Sequence, residues 1–337
     1  MAPTELPVFV TVSALDGGYI TLPERLFVTD ADPEKRATVP SLAFLLQHPS
    51  PSPSGGGTDV TRLVFDLGVK RDLTGYTPAQ ISHIAQRQPV ITDPDCAASL
   101  RSAAAEPPLD PAKDIDFVVL SHVHWDHVGT SSDFSRATFV VGSGTLDLLK
   151  HGAGALYPAE LFNHDELPVS RTVELPPVPG DITWSTPTHT PSSPSTEALL
   201  PASAAKWAWR PLAGFPAVLD FFGDGSLYVI DSPGHLYGHV NLLARLGEQR
   251  YVYLGGDCCH DPRILTGEKG IALYEDGRGG TRSVHVDTGV AERTLERIRV
   301  FAKGTLFGGE EIEVEVVVAH DAAWREANGR RFWPGTL

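Results

Sequence analysis

Apolar positions along the chain fall into short runs bounded by Gly, Pro, Asp and His. Four runs stand out: Phe117–Leu120, Ser226–Ile230, Tyr251–Leu254 and Ile312–Ala319. Each is rich in β-branched or aromatic residues and too short for a helix, which predicts strands. Two more runs, Leu42–Leu46 and Leu63–Phe65, flank the low-complexity stretch PSPSPSGGG at 49–57. They read as a strand pair joined by a flexible loop near residues 49–58. Helical spacing predicts Pro78–Gln86, Ser143–Lys150 and Thr288–Ala302. The last is the clearest, with Ala291, Leu295, Ile298 and Ala302 on one face and Glu292, Arg293, Glu296 and Arg297 on the other. Asp287 or Thr288 can cap its start. Strands mixed with helices give an α/β or α+β layered fold.

The chain has 337 residues, enough for two domain-sized units or one large layered domain. Its formal charge of −15 disfavours nucleic acid and anionic membrane surfaces as partners. No run approaches 18 uninterrupted apolar residues, so no membrane span is expected. Three cysteines cannot build a disulfide framework, and the first residues lack the basic and apolar regions of a signal peptide. A cytoplasmic location is expected. The stretch from about 181 to 216, with STPTHTPSSPST and the pair Trp207 and Trp209, reads as a lid or insertion.

The chemistry lies where the strands end. SHVHWDHVGT follows DFVVL directly and places His122, His124, Asp126 and His127 within six residues. Side chains two apart on an extended segment point the same way, so His122 and His124 can converge on one ion. The following turn swings Asp126 and His127 toward a second. SLYVI runs into His235, YVYL into Asp257 and EVVVA into His320. The set offers His122, His124 and His235 for one metal, Asp126, His127 and His320 for another, and Asp257 as a bridge. Imidazole and carboxylate suit two Zn²⁺ ions, and manganese, iron or cobalt can occupy such sites. His83, in the helical stretch TPAQISHIAQR, is expected to stand apart from this site.

HxHxDH followed by His, Asp and His on later strand ends resembles the metallo-β-lactamase superfamily. PGHLYGH at 233–239 is similar to the PGHxxGH segment of its lactonase branch, which includes the N-acyl-homoserine lactonases. The interval from His235 to Asp257, 257 − 235 = 22 residues, is also typical of that branch. SLAFLLQH and LVFDLG look like the family's opening strand pair, so the resemblance runs from about Ser41 to Trp324. It implies an αββα sandwich, one hydrolase domain across 1–337, and a dinuclear site at one edge of the sheets. Asp66 resembles an Asp that orients loops near the site, and His239 is expected to hydrogen-bond behind the ligands. The lactonases carry a Tyr soon after the bridging Asp. Here Cys258, Cys259 and His260 follow, which makes His260 a candidate donor, while Tyr237 beside His235 is another.

Two zinc ions can share a hydroxide at neutral pH and polarise a carbonyl. Asp126 is then the candidate to carry the proton to the leaving oxygen. The expected reaction is opening of a small-molecule lactone ring, broad or bulky rings included, in the manner of quorum-quenching lactonases. Alternatives with the same ligands are thioester or other ester hydrolysis and, less favoured, β-lactam or phosphodiester cleavage. Pocket walls are expected from Ala153–Phe162 and Thr188–Phe215.

Overall fold

A computed structural model of the chain describes residues 6–51, 58–102, 104–163, 166–180, 200–304, 306–307 and 310–337. The tip of the Pro/Gly/Ser stretch, 52–57, and most of the expected lid, 181–199, lie outside the described residues.

The runs Leu42–Leu46 and Leu63–Phe65 pair antiparallel, Leu46 opposite Leu63 and Leu45 opposite Val64, inside longer strands. These are β2 (Arg36–Pro51) and β3 (Thr58–Phe65), with β1 (Thr11–Pro23) on the other side of β2. The first sheet continues through β4 (Phe117–Val119), β5 (Thr138–Val141) and β6 (Thr172–Glu174), all parallel to β3. The second contains β7 (Arg210–Leu212), β8 (Phe215–Asp220), β9 (Leu227–Asp231), β10 (Val240–Arg245) and β11 (Arg250–Leu254). Its edge beyond β11 is the strand Glu313–Val317, parallel to β11. Both sheets are mixed.

Strand alternation sorts the core into three layers. Phe44, Phe65, Val119 and Val140 face Leu219, Val229, Leu242 and Val252 between the sheets. Their neighbours Leu45, Val64, Val118 and Phe139 point outward, onto Leu100 and Leu148 of flanking helices. On the far side Leu243 and Tyr253 pack on Leu295, Ile298 and Phe301. Those three lie on the helix Thr288–Ala302, which begins and ends where the periodicity predicts. Asp287 caps it, its Oδ1 accepting from Val290 N–H at 2.9 Å. The result is a helix–sheet–sheet–helix sandwich. No helix among the described residues is long and apolar enough to cross a membrane.

Topology decides where the chemistry collects. β9 and β11 both run antiparallel to β10, and Glu313–Val317 runs parallel to β11. All three therefore end at the same edge of the second sheet, and their last residues lead straight to His235, Asp257 and His320.

Candidate metal centre

The segment after β4 stays extended through His124, then closes into a single helical turn, Trp125–Val128. That switch in backbone sends the first two histidines one way and Asp126 and His127 another. The two groups meet the residues of the second sheet as two clusters of ligand atoms. His122, His124, His235 and Asp257 form one; Asp126, His127 and His320 form the other. Asp257 lies between them. Its Oδ1 is 3.1 Å from both His127 Nε2 and His320 Nε2. Its Oδ2 is 3.6 Å from His122 Nε2 and 3.5 Å from His235 Nε2.

These approaches are not hydrogen bonds. Asp257 Oδ1, His127 Nε2 and His320 Nε2 are all buried and lack a partner of hydrogen-bonding geometry. Buried polar atoms are seldom left so, and three converging lone pairs have one common solution, a cation. The donor set therefore fits two divalent ions.

Four of the five imidazoles are also held from behind, as ligating histidines usually are; the exception is His124, whose Nε2 is buried without a partner. His127 Nδ1 is 2.9 Å from Asp66 Oδ2, and His320 Nδ1 is 2.8 Å from the Pro40 carbonyl. His122 Nδ1 is 2.9 Å from Ser121 Oγ, whose hydroxyl donates to Asp66 at 2.7 Å. Asp66 adopts φ 59°, an unusual backbone for a non-glycine, and its Oδ1 accepts from Ser121 N–H as well. It thus orients one histidine directly and one through Ser121. His239 acts on the bridge: its Nε2 accepts from the Asp257 backbone N–H at 3.1 Å.

Electrostatics divide the two clusters. Burial, reinforced by the neighbouring imidazoles, pushes His122 and His235 well below the usual histidine value. Burial also pushes His124 well below it. All three are thus held in the neutral form that binds metal. For His127 burial acts in the same direction, but the Asp257 and Asp66 carboxylates outweigh it and raise the imidazole well above its usual value. His320 is raised too, again by Asp257 against the effect of burial.

The other candidates separate clearly. His260 lines the cavity at this edge, its Nε2 3.1 Å from Asp257 Oδ2 and its ring centroid 4.7 Å from that of Phe27. Tyr237 packs against the core under the first sheet and is not among the residues lining the cavity. Tyr157 is among them, with its ring 5.0 Å from His124 and its hydroxyl donating to the Val284 carbonyl at 2.5 Å. The expected wall Ala153–Phe162 thus supplies Tyr157 and Leu161. The described part of the other expected wall, Leu200–Phe215, lines none of this cavity; Leu200–Ser203 border a separate depression beside His48 and Asp224. His83 corrects an expectation as well. The helix α1 (Pro78–Ala85) turns it into the cavity wall rather than away from the site.

One histidine escaped the sequence reading. His285 Nδ1 lies 3.2 Å from His235 Nδ1, so it holds that ring from behind. It sits on an irregular segment three residues past the two-residue strand Thr281–Arg282, which is too short and polar to show as an apolar run. The signal was indirect, in PGHLYGH. Gly234 has φ +125°, and a Cβ there would lie 2.3 Å from Ala291 N. Only glycine lets the turn press against the helix start, where Val286 N–H and Asp287 N–H donate to the His235 and Gly234 carbonyls at 3.0 Å each.

Fold and site together define a metallo-hydrolase type of scaffold, two mixed sheets with a His/Asp cluster at one edge. The family model for the metallo-β-lactamase superfamily matches residues 101–200. Gamma-lactamase MBL2 of Gibberella moniliformis is 30% identical over 201 residues, 59% of this chain and 70% of that protein. The chain belongs to the metallo-β-lactamase superfamily. An N-acyl homoserine lactonase, AttM of Azorhizobium caulinodans, is 25% identical over 69% of this chain and 66% of its own. Cytochrome P450 monooxygenase mpaDE of Penicillium brevicompactum is 28% identical over 93% of this chain, which spans only 33% of that protein's length. A solved N-acyl homoserine lactone hydrolase with N-hexanoyl-L-homoserine bound has the same fold, with TM-score 0.59 and 14% identity over 98% of this chain and 100% of that one.

Proposed function

We propose that the chain is a hydrolase that opens lactone rings at a dizinc centre. His122, His124 and His235 would hold one ion, Asp126, His127 and His320 the other, and Asp257 would bridge them. The observation that carries this reading is the split of Asp257: its Oδ1 is 3.1 Å from the unpartnered Nε2 atoms of His127 and His320, and its Oδ2 is 3.6 and 3.5 Å from His122 and His235. Two zinc ions there would supply a hydroxide nucleophile at neutral pH and a Lewis acid for the ring carbonyl.

The chain's own residues have defined tasks. Asp126 lines the cavity, 6% exposed, with Oδ2 3.6 Å from His320 Nε2. It is the group to accept the proton given up in attack and return it to the departing alcohol oxygen. His260 faces the same space and is the donor for an oxygen of the substrate. Apolar walls from Leu22, Phe27, Trp125 and Leu161 exclude water and take the ring.

A lactone is favoured over other esters by PGHLYGH and by the likeness to a relative named an N-acyl homoserine lactonase. The likeness to a relative named a gamma-lactamase favours a second reading, opening of a γ-lactam with the same donor set. The test is a hydrolysis screen of the metal-loaded protein against γ- and δ-lactones, a γ-lactam, thioesters, a phosphodiester and a cephalosporin. Ring opening of a lactone should release one proton per turnover, read with a pH indicator. Thioester turnover with no release from any lactone reverses the proposal, and turnover of the lactam alone installs the second reading.

A further inference from the structure

The cavity has a second polar wall that the metal centre does not use. Helix α1 and the residues just after it present Gln80, His83 and Arg87, spaced to share one face, and all three line the cavity. Arg87 is only 8% exposed and Gln80 2%. Arg87 Nη1 and Gln80 Oε1 are both buried without a hydrogen-bond partner. No carboxylate among the described residues forms an ion pair with Arg87, although Asp126 and Asp257 line the same cavity. The Phe27 ring, 5.8 Å from the guanidinium carbon, covers one face but accepts nothing in the guanidinium plane. Nor is the local charge balanced from behind. Arg36, which binds the Gln86 and Gln88 carbonyls, adds a second cation beside the same turn.

A guanidinium stays ionised in proteins, and burying one unpaired is strongly unfavourable. Such a group persists where something outside the chain completes it. A fork of N–H donors matches a carboxylate in shape and charge; the unpartnered Gln80 Oε1 is an acceptor, so the carboxamide joins in by turning over to present its NH2. We propose that Arg87 and Gln80 form a recognition subsite for a free carboxylate on the substrate, remote from the bond that is cleaved. Combined with the apolar walls, the substrate class is a ring lactone bearing a carboxylate side group. The proposal rests on the hydrolase reading for the identity of the ring, but not for the anion.

The test uses the metal-loaded protein and two matched pairs of probes. Tetrahydrofuran-2-carboxylate and its methyl ester cannot be opened, so titration calorimetry reads binding alone. γ-Carboxy-γ-butyrolactone and its methyl ester read kcat/KM. The wild type should favour the acid over the ester by about 10- to 100-fold in both pairs, the range expected for hydrogen bonds to a charged group. Arg87→Met should erase that preference, mainly through KM, and Arg87→Lys should retain part of it. Gln80→Leu should lower it severalfold. A wild type without preference overturns the proposal. So does an Arg87→Met protein with the preference intact, since the acid would then be sitting on the ions. Should Arg87→Met fail to fold, an unchanged preference in Arg87→Lys and Gln80→Leu overturns it equally. Failure to open any lactone while acid binding still depends on Arg87 would strike the hydrolase reading and leave the subsite standing.

Discussion

The two polar walls of the cavity are built on opposite plans. At the strand ends, the rear nitrogens of His122, His127, His235 and His320 are anchored to protein, and of the five imidazoles His124 alone has an unpartnered nitrogen away from the cluster. On the α1 wall, Arg87 Nη1 and Gln80 Oε1 are unmet, and among the described residues no ion pair anchors Arg87. The first wall is preorganised for ions of fixed size and needs rigid support. The second, on the proposed reading, faces a ligand that comes and goes, where a long side chain just past a helix end can adjust. Rigidity lies where metal–ligand distances are strict, and adaptability where only a charge must be met.

That contrast can be broken from the rigid side first. The protein should carry close to two divalent ions per chain by elemental analysis, and lose them with its activity on chelation. Asp257→Ala should reduce the content to one ion or fewer and cost about a thousandfold or more in turnover, since several kcal/mol of barrier lowering go with the pair. A variant with full metal and full rate would refute the bridge. Next in size are the supports. Asp66→Ala should weaken metal affinity about 10- to 100-fold, and His285→Ala toward the lower end of that range, both read by competition with a chelating dye. If neither changes affinity, anchoring from behind contributes nothing here.

A smaller effect lies on the α1 wall. Burial, aided by the positive charge of Arg87, lowers His83 to about 4. The unfolded chain takes up that proton near pH 6.5 while the folded chain resists until about 4. The unfolded state therefore binds more protons across this window, and stability falls as the pH drops through it. His83→Leu should make the fall in the urea midpoint between pH 6.5 and 4 shallower than in the wild type. An identical slope would mean that His83 is already free to ionise. Smallest of all, His151→Ala should leave metal content and rate unchanged. His151 is exposed at the end of the helix Thr145–His151, 3.5 Å from Asp147 and away from both walls.

Much of the rigid wall could be read from sequence because it is local. Four donors fall within six residues, and the other three each follow an apolar run by one to five residues. A strand that ends at a sheet edge leaves little choice about where the next side chains go. The α1 wall was illegible for the opposite reason. Gln80, His83 and Arg87 show helical spacing, but nothing in that spacing says which face meets the cavity, and His83 was placed wrongly. His285 depends on the docking of Val286 and Asp287 against the PGH turn, a contact between residues some 50 apart. Long strand β1 escaped because its Asp16-Gly-Gly interruption hides a bulge between Asp16 and Tyr19.

The parallel pairing of Glu313–Val317 with β11 has a consequence for biosynthesis. His320 is delivered only when that strand docks, 320 − 122 = 198 residues after the first donor has been made. A nascent chain stopped before it holds six of the seven donors and an unpaired edge on β11, the side from which the last histidine must arrive. Contacts so far apart in sequence form late. On the proposed ligand set, capture of the second ion would therefore be tied to completion of the sheet, so that full metal loading would mark a finished molecule and a truncated or misassembled one would remain underloaded.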